Sequence, residues 1–190
     1  MDLVSRARNI TLSPSSEWGV IAAETTAIAP LYTGYIAILA AIPLIAELLH
    51  FLFSGFSVGI AIRIAVMSYF ASLIDVAVVA FASEFLAPRF GGVGDRMQAF
   101  KLAGFALTPS WLGGVFALVP AFGLILRLLC GLYSIYVYYL GIGELMAVPS
   151  ERRLSYFGLV ILLSIVIGIV VALLVGLLFG LAGMGAMMGR

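Results

Sequence analysis

Charge is what this sequence has least of. Ten Lys/Arg and nine Asp/Glu make up 10% of its 190 residues, against roughly 25% in an ordinary soluble domain. The balance is +1, so no net field steers the chain to nucleic acid or to another strongly charged partner. Cys130 is the one cysteine, which excludes an intramolecular disulfide. His50 is the one histidine, which excludes a multi-histidine metal site within one chain. No G-x-S-x-G, H-E-x-x-H, P-loop or cysteine-pair motif occurs. The expectation is no enzyme, no metal and no cofactor. The stretch from Met1 to Glu24 has charges and Ser/Pro punctuation but no apolar core with a cleavage site, so no signal peptide is expected.

Apolar residues are what the chain has in excess: 64% hydrophobic, with a mean hydropathy of +1.22. A water-soluble fold of this size would have too little polar surface to cover itself. The runs are continuous rather than alternating, which favours membrane helices over a barrel. Five segments stand out: Leu31–Phe53, Val58–Ser83, Ala103–Val119, Gly123–Ala147 and Tyr156–Gly183. Four are long enough to span hydrocarbon about 30 Å thick. The third is short and broken by Thr108-Pro109 and Gly113-Gly114. The fold expected is an all-α polytopic bundle of five transmembrane helices (residues 31–190), preceded by an N-terminal cytoplasmic segment (residues 1–30).

Basic residues set the topology. With five spans, Arg6, Arg8, Arg89, Arg96, Lys101, Arg152 and Arg153 fall on one side, and Arg190 on the other. The positive-inside rule then puts the N-terminus in the cytoplasm and the C-terminus outside. Ser13-Pro14 reads as a helix start, with Ser as N-cap and Pro in the first turn. A short interfacial helix from about Pro14 to Glu24 is expected, with Trp18 at headgroup depth; an ordered cap packed on the bundle is the alternative, and the two are compatible.

Five charges fall inside the spans: Glu47, Arg63, Asp75, Arg127 and Glu144. Each costs at least roughly 2.5 kcal/mol at membrane depth without a partner or water. Glu144 lies near an inner helix end. Glu47, Arg63 and Arg127 share a level near the outer surface, with His50 one turn above. They read as an ion-pair clasp joining three helices, as an anion or headgroup site, or as side chains snorkelling to the interface. A Glu47–His50 metal site between protomers is the weaker alternative to a polar helix end. Asp75 lies deeper, level with Tyr136 and Tyr139, with Tyr138 on another face. It reads as a Tyr–Asp hydrogen bond or as a protonatable carboxylate. In the last span Gly168, Ala172, Gly176 and Gly180 form a small-xxx-small ladder, which lets another helix approach closely.

Three stretches then resemble a known family. They are Pro109-Ser-Trp-Leu-Gly-Gly through Val119-Pro120, Gly131-Leu-Tyr-Ser-Ile-Tyr-Val-Tyr-Tyr-Leu-Gly141, and Met146-Ala-Val-Pro-Ser-Glu-Arg-Arg-Leu-Ser-Tyr156. With the opening Asn9 to Pro14, Glu17-Trp18 and Ile21 to Glu24, they resemble bacterial members of the Yip (Ypt-interacting protein) domain family. The resemblance implies a five-span helical domain. The family's eukaryotic branch is associated with Rab-type GTPases and vesicle traffic. It has a long polar N-terminal region and an Asp-Leu-Tyr-Gly-Pro type signature, which this chain lacks.

The function expected is a non-enzymatic scaffold or accessory subunit of a bacterial inner membrane. Its partners would be membrane lipids and other membrane helices, including a second copy. The alternative is a small transporter or lipid/anion-binding protein using the intramembrane charges.

Overall fold

The computed structural model describes the backbone of residues 2–119 and 121–188, and the side chains of residues 2–119, 121–170 and 173. The described chain is helical, in the order α1 (Leu3–Leu12), α2 (Pro14–Ala23), α3 (Ile28–Leu31), α4 (Ala37–Phe53), α5 (Val58–Leu86), α6 (Arg96–Ala106), α7 (Thr108–Gly113), α8 (Gly123–Met146) and α9 (Ser150–Met188). A π-helical turn, Tyr32–Ile36, joins α3 to α4. Short 3-10 turns follow α5 and α7.

Among the described residues, four helices are long and apolar enough to cross a membrane: Ile28–Phe53, Val58–Phe90, Gly123–Met146 and Ser150–Val170. At about 1.5 Å per residue, the 24 residues of α8 extend about 36 Å. The five-helix expectation is met to that extent. The third apolar segment is a chain of three pieces. Pro109 stands in the first turn of α7 and has no N–H to continue the α6 ladder, so the helix breaks at Leu107. The glycines allow the last piece to lie against its neighbours: a Cβ on Gly114 would come within 2.6 Å of Pro43, and one on Gly113 would collide with Cys130.

The contacts give the helix directions. Tyr32 donates to the Leu73 carbonyl and Tyr69 to the Ala37 carbonyl, both at 3.2 Å, so α4 and α5 run antiparallel. The broken segment runs antiparallel along α8. Leu102 lies against Gly141, the Ser110 amide donates to Ser134 Oγ at 2.9 Å, and Phe116 lies against Gly123. Its two ends therefore match the two ends of α8.

The sharp turn between α4 and α5 uses Gly55 at φ +84°, a left-handed conformation that glycine adopts without strain. Small residues (Ala61, Ala65, Ala80, Ala82) bury one face of α5, while Ile62, Phe70, Ile74 and Phe81 stay exposed. In a bilayer that exposed surface faces lipid, which is as apolar as a leucine side chain.

Two helices at the N-terminus pack along the middle and C-terminal half of α8, where Tyr133 donates to the Thr11 carbonyl at 2.7 Å. The Asp2 carboxylate caps α1 by accepting the Ser5 amide at 3.3 Å. α2 begins at Pro14, as the sequence suggests, but the Ser13 hydroxyl does not cap it. Ser13 instead closes α1: its amide donates to the Asn9 carbonyl at 2.8 Å.

Candidate functional site

Trp18 is wholly buried against the bundle. Its indole N–H donates to the Val137 carbonyl at 3.0 Å. Its ring packs so closely on α8 that a Cβ on Gly141 would come within 2.7 Å of it.

Four charged residues outside the expected spans gather beside it. Arg6 donates to Glu17 at 2.5 Å and also pairs with Glu24. The Arg6 and Glu17 side chains are only 4% and 7% exposed. Lys101 is buried, and its ammonium donates to the Ile21 carbonyl at 2.9 Å and the Glu24 carbonyl at 2.6 Å. Those are carbonyls at the C-terminal end of α2, where a cation is favoured. Burial holds the Lys101 amine below its ordinary value of 10.5, and Glu24 and Asp95 oppose that shift. A cavity of about 180 Å³ opens beside the cluster, lined among others by Arg6, Glu24, Thr26, Tyr35 and Phe105. One signal for this cap was available: Glu17, Ile21 and Glu24 stand at i, i+4 and i+7, on one helical face.

At the other end of the bundle, Arg127 donates to Glu47 at 2.8 Å. The second Glu47 oxygen is buried without a hydrogen-bond partner. Arg63 is exposed, and among the described residues no carboxylate lies within 4.0 Å of it. The three-helix clasp is therefore a two-helix pair. His50 is exposed at the rim of a cavity of about 260 Å³ that Phe116, Val119, Leu124 and Arg127 also line.

Asp75 is exposed on α5 and makes no hydrogen bond to Tyr136 or Tyr139 among the described residues. Tyr136 is exposed, and Tyr139 packs edge-on against Phe157, with ring centroids 5.5 Å apart. The reason is azimuth. The neighbouring Val76 is buried, and one residue along a helix is a rotation of about 100°. The polar contact in this region is made by Tyr138 instead. It shares a 2.6 Å hydrogen bond with Ser83 Oγ, and Tyr156 donates to the Ser83 carbonyl at 2.9 Å. Similar ties cross the middle of the bundle: Tyr35 with Thr108 at 2.8 Å, and Trp111 to Ser72 at 2.9 Å.

Gly168 is exposed, and a Cβ there would meet nothing within 4 Å. Ala172, Gly176 and Gly180 lie outside the residues whose side chains are described. Glu144 is exposed. Among the described residues no three His, Cys, Asp or Glu side chains gather to hold a metal.

A helical membrane bundle with a folded N-terminal cap and helix-to-helix ties defines the class. The chain belongs to the Yip1 domain family, whose model matches residues 8–173. It is 28% identical over 160 residues to an Escherichia coli protein described as inner membrane protein YohC, covering 75% of this chain and 80% of that one. The same protein from a second Escherichia coli strain matches equally. No solved structure matches the chain. The protein is thus a multi-pass integral membrane protein of a family that is generally non-enzymatic, and it is similar to a protein of the inner membrane.

Proposed function

We propose that this protein is a non-enzymatic scaffold or accessory subunit of a bacterial inner membrane, crossing it five times and packing against other membrane helices. The carrying observation is the network of helix-to-helix hydrogen bonds through the middle of the bundle. Tyr35, Ser72, Ser83, Thr108, Trp111, Ser134, Tyr138 and Tyr156 are engaged with one another or with backbone. These groups rigidify a bundle by committing their polar atoms to one another and to backbone. Support for a fifth crossing is the way the broken segment follows α8 from end to end. Support for the N-terminus lying inside is that Arg6 and Lys101 share one end of the bundle, together with the loops that carry Arg89, Arg96, Arg152 and Arg153.

The open rung at Gly168 supports a helix partner from outside the chain, whether a second copy or another membrane protein. Cross-linking in native membranes tests this. Gly168→Cys in a Cys130→Ser background should give a linked product with a second copy or another membrane protein. Absence of any product along the 168, 172 and 176 positions would overturn the partner reading.

The second reading, a small transporter or an anion-binding protein, draws on the Glu47–Arg127 pair beside the 260 Å³ cavity. Proton or anion flux into proteoliposomes above that of empty vesicles, and abolished by Glu47→Gln, would favour it over the scaffold.

A further inference from the structure

Arg153 is half-buried in the crevice between α8 and α9, three residues after α9 begins. Its guanidinium lies directly over Gly143 of α8, so closely that a Cβ there would collide with it. Its Nε is buried without a hydrogen-bond partner. Among the described residues no carboxylate comes within 4.0 Å of it, although Glu144 and Glu151 are exposed nearby in sequence. Its neighbour Arg152 points elsewhere, toward Gly91 in the loop before α6, and is exposed.

An arginine whose Nε is shut off from water with no counter-charge is unfavourable, because burial removes hydration there and nothing replaces it. The fold could avoid that cost by leaving the side chain exposed, as it leaves Arg152. Instead a glycine on the facing helix makes room for it. Three residues into the helix is a depth of about 5 Å, the level of lipid headgroups. One turn deeper on each helix, Tyr139 and Phe157 meet edge to face, 5.5 Å apart. Aromatic side chains at that level are the usual boundary between headgroup and acyl chain. The anion that occurs at this depth is a phosphodiester, and the planar guanidinium fork matches its oxygens.

We propose that the α8–α9 crevice is a binding site for one anionic phospholipid. The lipid phosphate pairs with Arg153, and the Tyr139–Phe157 pair supports the glycerol end of the chains. The site is independent of the scaffold and five-crossing readings and requires only that α8 and α9 lie in the bilayer.

Native mass spectrometry of the full chain, released from detergent with phosphatidylglycerol or phosphatidylcholine, tests it. The wild type should retain one phosphatidylglycerol in preference to phosphatidylcholine. Arg153→Gln should weaken retention roughly tenfold, as loss of a charge-assisted pair implies. Arg152→Gln removes the same charge one residue away and should change retention less than about twofold. Gly143→Ala keeps the charge but displaces the guanidinium, and should weaken retention as well. Arg152→Gln and Arg153→Gln acting equally would mean a diffuse basic surface and would overturn the site. So would retention unchanged by Gly143→Ala, or equal retention of both lipids. Displacement of the lipid by millimolar inorganic phosphate would assign the crevice to a free ion and overturn the lipid assignment.

Discussion

Replacing Glu17 by Gln tests the N-terminal cap through its most desolvated contact. The Arg6 and Glu17 side chains are 4% and 7% exposed, so the pair is screened little by solvent. Removing one partner of a buried pair costs about 3–5 kcal/mol, because the other charge is left without compensation. Glu24 still faces Arg6, but its side chain is 41% exposed, so it compensates only in part. The lower end, about 3 kcal/mol, is the expected loss, or roughly a hundredfold in the equilibrium for opening the cap. Hydrogen exchange reads that equilibrium directly. Amides of α1 and α2 should exchange about two orders of magnitude faster in Glu17→Gln, while those in the middle of α5 change little. The double change Arg6→Gln with Glu17→Gln should recover part of the protection, since the buried guanidinium left without Glu17 is gone. Unchanged protection in Glu17→Gln, or losses that simply add in the double mutant, would refute the coupled pair.

Two further outcomes follow from the charged groups. The folded protein holds Lys101 below 10.5, so between the lowered value and 10.5 the unfolded chain binds more protons. Stability should therefore rise with pH across that alkaline window, and Lys101→Met should remove this part of the slope in thermal melts. At the far end, Glu47→Gln should cost about 1 kcal/mol, because Arg127 is 40% exposed and can turn to solvent. Arg63→Gln should add to that loss independently in melts of the double mutant. Partial recovery would show that Arg63 does face Glu47.

The long helices were legible because hydrocarbon demands continuous apolar runs, and Leu31–Phe53 or Gly123–Ala147 can be seen without any knowledge of packing. The break at Thr108-Pro109 was legible for a similarly local reason, the missing N–H of Pro109. Rotation about the helix axes was not. On α5 both the buried face (Ala61, Ala65, Val76, Ala80) and the exposed face (Ile62, Phe70, Ile74) are apolar. No pattern therefore tells which side Asp75 takes, and depth alone suggested a tyrosine partner. On α8 the same ambiguity favoured Tyr136 and Tyr139 over Tyr138, the residue that meets Ser83. The charge cluster of the cap is hard to read for the opposite reason: little in the local sequence sets Arg6, Glu17, Glu24 and Lys101 apart from solvated charges, yet they compensate one another and the end of α2 in a buried cluster. The Glu47–Arg127 contact was found because both groups sit at one level and few other polar groups compete for them. Arg63 met the same criterion of depth and failed on direction.

Five crossings with the N-terminus inside is the claim on which the functional reading depends most. Single cysteines in a Cys130→Ser background, labelled in intact cells with a membrane-impermeant maleimide, test it directly. Ser54 and Ala121, in the turns after α4 and before α8, should label from outside. Gly94 and Ser150, before α6 and at the start of α9, should label only after the cells are opened. Ser54 and Ala121 labelling from opposite sides would mean that the α6–α7 segment does not cross, and would contradict the account.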